Sequence, residues 1–285
     1  DTMMNHVAFR RPSLERLLSY RRLVSMPSLS KGLRVFFIAL VCLPACAAGT
    51  ANPSKTAPAA SPASTVDLQP APESTQPALD EPNAHPGIND HYFQPGGPDR
   101  YRAVLEAETR EIVRRRGDIV DAIGLRKGMA VADIGAGTGL LTREIAARVG
   151  AHGRVYAVDI VPGFLDLIRS RVEDEGLRNV TVVRGEERAT GLDPASIDVA
   201  FMCDTYHHLE FPQTYMRSVF RSLRPGGTLV VVDMKRERGE SSSGVLRHVR
   251  AGKAIVIGEI EQAGFVFSSE TELLEQNYYL HFRRP

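Results

Sequence analysis

The chain is expected to fold as an α/β protein, a parallel sheet covered by helices on both faces. Three observations lead there. Short runs rich in Val, Ile and Phe alternate with amphipathic stretches of helical length from residue 129 onward, the pattern of repeated strand, helix, strand units. A composition of 43% hydrophobic and 24% charged residues supports a packed core and excludes a wholly disordered or collagen-like chain. A glycine-rich turn, 135–139, sits where the first such strand meets the first such helix, which is where open α/β sheets expose helix amides to a ligand.

Taken in order, 100–123 carries Val104, Leu105, Ile112, Val113, Ile119, Val120 and Ile123 among many charges, which predicts an amphipathic helix interrupted near Gly117. Strands are expected at 129–134, 154–158, 180–184, 197–203 and 228–233, with helices at 140–149, 163–175 and 212–223 between them. A helix at 253–263 and two closing strands at 264–268 and 277–282 complete the domain, and no internal repeat is evident. Cys203, inside an apolar run, reads as a small core residue, and Arg114, Arg115 and Arg116 as a solvated helix face.

The first hundred residues have another character. Ten of the 18 prolines lie between Pro53 and Pro98 among Ala, Ser, Thr and Gln, a composition that buries too little surface to offset chain entropy. Residues 47–98 are therefore expected to be a disordered tether for a domain at 99–285. Upstream, the apolar run 35–43 follows Lys31 and Arg34 and precedes small residues, the layout of a secretory signal at 26–46. The run is too short to span a bilayer as a helix. Leu43-Pro44-Ala45-Cys46 is similar to a bacterial lipoprotein signal, which implies lipidation of Cys46, membrane attachment and a cell-envelope location; Ala45-Cys46-Ala47 equally fits a simple cleavage site. Should the segment not direct export, the domain is cytoplasmic. Residues 1–25 read either as a mis-assigned upstream start before Met26 or as a basic arm for anionic lipid.

The formal charge of +1 is a sum of unlike parts. Cleavage before Cys46 leaves 28 basic against 32 acidic residues, about −4, so nucleic acid is not an expected partner. Three cysteines, Cys42, Cys46 and Cys203, exclude a disulfide scaffold and a four-thiolate zinc site; no zinc-ligand spacing is seen, and no metal is expected.

The chemistry concentrates in Val131-Ala132-Asp133-Ile134-Gly135-Ala136-Gly137-Thr138-Gly139-Leu140. A dinucleotide fingerprint would need Gly at 140, and no Gly-Lys-Ser/Thr follows for a phosphate-binding P-loop. Gly135-x-Gly137-x-Gly139 preceded by Asp133 resembles instead the first motif of class I S-adenosylmethionine-dependent methyltransferases. Four further motifs follow in the family's order: 155–159 ending on Asp159, Gly185-Glu186-Glu187, 198–204 ending on Asp204, and Leu223-Arg224-Pro225-Gly226-Gly227. The resemblance covers Tyr101 to the C-terminus. It implies a doubly wound, Rossmann-like sheet of order 3-2-1-4-5-7-6 with strand 7 antiparallel, and S-adenosyl-L-methionine as cofactor. By the same resemblance, Asp133, Gly135, Ala136, Gly137, Thr138, Gly139, Asp159, Ile160, Glu186, Glu187 and Asp204 would hold it, Asp159 on the ribose hydroxyls and Glu186 or Glu187 on the adenine amine. Asp133 is either a ligand of the cofactor's amino group or a structural acid in the turn.

Tyr206-His207-His208 follows the fourth strand, at the sheet edge where ligands bind. His207 or His208 serves either as a general base, needed only when the acceptor is protonated, or as pocket wall; His248 reaches toward the same edge as a lesser candidate. The expected activity is methyl transfer to a small-molecule acceptor. The alternative is a non-catalytic methyltransferase-fold lipoprotein, motivated by a conflict between export and a cofactor made in the cytoplasm.

Overall fold

A computed structural model describes residues 80–285; the extension, signal and most of the tether lie outside the described residues. Seven strands form one sheet: β1 Ala130–Ile134, β2 Arg154–Asp159, β3 Val180–Arg184, β4 Ile197–Cys203, β5 Leu223–Met234, β6 Val266–Glu270 and β7 Asn277–Arg283. Their order is β3-β2-β1-β4-β5-β7-β6. The first five pair in parallel and β7 runs antiparallel to both neighbours, as the sequence led us to expect.

Both faces of the central strands are buried, which is why these strands are apolar at almost every position. On one face Ala132, Ile134, Ala200, Met202, Leu229 and Val231 meet Tyr215, Met216 and Val219 of α6 (Pro212–Ser222) and Val256 and Ile260 of α8 (Lys253–Gln262). The alternate residues Val131, Val199, Phe201, Val230 and Val232 meet Ile119 and Val120 of α3 (Arg116–Ala122) and Leu141, Ile145 and Val149 of α4 (Leu140–Val149). A slip of one residue in any strand would exchange the two sets. Helix α5 (Pro162–Asp174) lies along β2 and β3. Among the described residues, no helix is long and apolar enough to cross a membrane.

Three expectations are corrected. The stretch 100–123 is not one helix broken at Gly117 but α1 (Gly97–Leu105), α2 (Glu111–Arg114) and α3. The chain turns at 106–110, where Arg110 Nη1 donates to the Leu105 carbonyl at 2.8 Å, while Gly117 sits inside α3. Strand β5 begins at Leu223, because Leu223 pairs with Ile197 ahead of the bulge that holds Pro225-Gly226-Gly227. Residues 80–98, assigned to the tether on composition, are bound to the domain. Glu81 Oε1 and Oε2 accept the Gln213 and Thr214 amides at the start of α6, at 2.8 and 2.7 Å, the Ala84 amide donates to the Glu210 carbonyl, and Tyr92 packs on Phe164. One helix was missed, α7 (Ser243–His248), capped by the Ser242 hydroxyl, which accepts from the Val245 amide.

Candidate active site

The carboxyl ends of β1, β2 and β4 open into a single cleft roofed by residues from 89–112. Its floor is the glycine turn. Gly135, Gly137 and Gly139 have φ of +70°, +54° and +75°, a left-handed backbone that side chains oppose. At Gly135 a Cβ would stand 2.3 Å from Thr205 Cγ2, so this glycine also permits the turn after β4 to close on the turn after β1. Gly135, Ala136, Gly137 and Thr138 all face the cleft. Gly139 does not: a Cβ there would press on Ile168 of α5 at 3.2 Å, so its role is to let α4 and α5 approach.

Asp159, at the end of β2, accepts the Gly137 amide on Oδ2 at 2.8 Å and the Val161 amide on Oδ1 at 2.9 Å. It thereby ties the glycine turn to the second strand, and each oxygen keeps acceptor capacity beyond these bonds. Burial raises its pKa, against the pull of those amides. Asp133 is 3% exposed, and Oδ2 accepts the Thr142 hydroxyl at 2.6 Å. Burial pushes its carboxyl up to about 6; the Thr142 bond opposes this and the Asp159 charge adds to it. Ile160 and the exposed Glu186 and Glu187 form the rim beside β3.

Asp204 also lines the cleft, with φ +49°. Both of its oxygens are committed, Oδ2 to Arg110 Nη2 at 2.5 Å and Oδ1 to Asn277 Nδ2 at 2.6 Å. It therefore also acts as a strut between the roof and the sheet from its place in the cleft wall. Burial raises its pKa and Arg110 opposes the rise. Burial and the Asp204 carboxylate push the Cys203 thiol well above its ordinary value, which keeps it a protonated wall, not a nucleophile.

The two predicted histidines separate. His208 lines the cleft; His207 stands behind it. His207 is 4% exposed, with its amide donating to Asp233 Oδ2 at 3.0 Å and its Nδ1 2.6 Å from Asp233 Oδ1. Burial alone would lower the His207 pKa, but the Asp233 carboxylate outweighs it and the net direction is upward. His208 is pushed well below its ordinary value by burial and by the neighbouring His207 and His248 rings; a neutral ring therefore faces the cleft. His208 Nδ1 lies 3.1 Å from Asn89 Oδ1, and Asn89 Nδ2 donates to the His208 carbonyl at 3.0 Å.

His248 closes on both, with ring centroids 5.0 Å from His207 and 5.1 Å from His208. The expectation of no metal site rested on linear spacing, which hides this cluster: one nitrogen of each ring lies within 4.8 Å of the others. Sequence reasoning also missed Asn89, Tyr92, Arg110, Thr205 and Asp233. The first two lie in the proline-rich stretch, and Arg110 resembles its arginine-rich surroundings.

Residues 131–227 match the family model described as a methyltransferase domain. The chain is 32% identical over 118 residues to the ubiquinone/menaquinone biosynthesis C-methyltransferase UbiE of Idiomarina loihiensis, an overlap of 41% of this chain and 47% of that one. It thus spans about half the length of the curated relatives it matches. A SAM-dependent methyltransferase from Aquifex aeolicus superposes with a TM-score of 0.60 at 25% identity, covering 66% of this chain and 98% of the other. Phosphoethanolamine N-methyltransferase 2 of Haemonchus contortus, solved with S-adenosyl-L-methionine, shares the fold at a TM-score of 0.55 and 16% identity, covering 69% and 59%. The likenesses to solved structures show that the sheet has the fold these methyltransferases share.

Proposed function

We propose that the chain is a class I S-adenosylmethionine-dependent methyltransferase acting on a small-molecule acceptor. The observation that carries this reading is the charge of the cleft above its glycine turn. Six carboxylates, Asp133, Asp159, Glu186, Glu187, Asp204 and Glu210, line it against one guanidinium, Arg110, which is already paired with Asp204. Such a wall favours a ligand bearing a sulfonium and an ammonium, and repels the pyrophosphate of a dinucleotide. S-adenosylmethionine, when bound, supplies an electrophilic methyl group.

The residues present fit that group. Asp159, held rigid by two amides, presents its remaining lone pairs to a vicinal diol. Asp133, with only a neutral hydroxyl as partner, presents charge to a cation. Tyr92, Phe164 and Tyr215 make the apolar walls that exclude water, and alignment with desolvation is the main contribution an enzyme makes to a displacement of this kind. His208 bounds the acceptor space and orients the acceptor, or takes its proton where the acceptor carries one. The likenesses favour transfer over the non-catalytic carrier considered from the sequence.

Calorimetry of the full chain with S-adenosylmethionine tests this. Binding that weakens at least tenfold in Asp159→Ala is expected; no binding by the wild type, or equal binding by the variant, refutes it. For location, we propose attachment to the cell envelope through a lipidated Cys46. Fractionation of the wild type and of Cys46→Ala checks this: release of the variant into the soluble fraction is expected, and unchanged partitioning is the opposing result.

A further inference from the structure

We propose that His207, His208 and His248 form a binding site for one divalent transition-metal ion. The site draws on two parts of the chain, the turn after β4 and the end of α7. One nitrogen from each ring lies within 4.8 Å of the others, and the His207 and His208 centroids are 4.3 Å apart.

Convergence alone would be equally consistent with aromatic packing. Two further features point to a ligand. First, Nδ1 of His207 is engaged by Asp233 Oδ1 and Nδ1 of His208 by Asn89 Oδ1. An oxygen acceptor on one ring nitrogen fixes the tautomer and turns the lone pair of the other outward, which is how metal-ligating histidines are held. Second, His207 Nε2 is buried with no hydrogen-bond partner, on a ring that is itself 4% exposed. A buried polar atom without a partner is rare, and a metal ion would satisfy it.

The donor set names the class of ion. Three imidazoles with no thiolate suit zinc and its first-row neighbours, and three protein ligands leave a fourth position for water or substrate. Zinc to nitrogen bonds of about 2.0–2.1 Å place tetrahedral ligands about 3.3 Å apart, so the rings must draw together from their present spacing. His248 is the ring with the least packing to oppose that adjustment, since α7 has no buried residue. Because His208 is a wall of the cleft, the open position faces the acceptor space, where it would take an anionic or carbonyl oxygen of the acceptor. That role rests on the methyltransferase reading; binding of the ion does not.

The test uses the full chain with a histidine-free affinity tag, stripped with chelator and titrated with Co2+, followed by Zn2+ competition. One ion per chain and the visible absorption of four-coordinate cobalt are expected. His248→Ala should weaken binding at least 100-fold, Asn89→Ala should weaken it 10- to 100-fold through loss of ring orientation, and the exposed His152→Ala should leave it unchanged. If His248→Ala does not fold, His248→Gln reads the same loss. Less than one equivalent bound by the wild type, or wild-type affinity retained in both His248→Ala and His207→Ala, overturns the proposal. Calorimetry with S-adenosylmethionine on the metal-free chain separates the two readings: cofactor binding without cobalt binding removes only the metal site, and cobalt binding without cofactor binding removes only the methyltransferase assignment.

Discussion

Replacing Asp133 with Asn should stabilise the protein and weaken its hold on the cofactor. The carboxyl is 3% exposed and sits at about 6, raised by burial from an ordinary value near 4. A raised carboxylate favours the folded state while protonated, so its contribution is complete below pH 4 and is lost as pH rises through 6. At pH 8 the folded chain carries an ionisation cost of about 3 kcal/mol that the unfolded chain does not. Asp133→Asn removes that cost while its amide oxygen still accepts the Thr142 hydroxyl. For a domain of this size, each kcal/mol moves Tm by about 2–4 °C, so the variant should melt roughly 6–12 °C higher at pH 8. The gap should close by pH 4. Affinity for S-adenosylmethionine should fall by a factor of ten or more, since a charge-assisted hydrogen bond is worth about 1.5–3 kcal/mol. Thermal denaturation at both pH values, with calorimetry at pH 8, measures all three. A variant no more stable than wild type at pH 8, or a gap that persists at pH 4, would refute the placement of an uncompensated acid.

Gly135→Ala should cost about 1–2 kcal/mol for its left-handed backbone and about 1–3 kcal/mol for the clash with Thr205; adding Thr205→Gly should recover only the second part in a double-mutant thermal cycle. Arg110→Ala leaves Asp204 buried beside Asp233 and should cost about 3 kcal/mol in urea denaturation, a loss that Asp204→Asn in the same chain should reduce. Glu81→Ala removes both acceptors at the start of α6 and should lower stability by about 1 kcal/mol, although residue 81 lies in a stretch whose composition reads as disordered.

That last case shows where sequence reading stops. The strands were legible because burial on both faces demands runs such as Val230-Val231-Val232, and their order because the motifs resemble a family whose sheet has that order. The attachment of 80–98 was not, since composition averages apolar content whereas this segment is held by a few placed groups: Glu81 on α6, Asn89 on His208 and Tyr92 on Phe164. The glycine turn, Asp133 and Asp159 were singled out by the motif resemblance, and the structure brings them to one cleft. The role of Arg110 could not, because nothing local separates an arginine that reaches Asp204 from Arg114, which bonds only nearby carbonyls. The approach of His248 was half legible: β4 and β5 are sheet neighbours, so residues following each of them meet at one edge, but which rings touch depends on α7, which the pattern did not reveal.

The acids gathered at that edge divide by how they are compensated, and the division predicts where a cationic ligand would place its charge. Asp204 holds a guanidinium and an amide. Asp233 holds the His207 ring and two backbone amides. Asp159 is met by the Gly137 and Val161 amides. Asp133 alone among these four has a single neutral hydroxyl, and it borders the same cleft. With its carboxyl raised to about 6, Asp133 is partly protonated near that pH, because desolvation opposes its charge and the Thr142 hydroxyl offsets this only in part. Cofactor binding and ionisation of Asp133 are therefore linked, so affinity for a cationic ligand should decline as pH falls through 6, while a neutral analogue of the same shape should show no such decline.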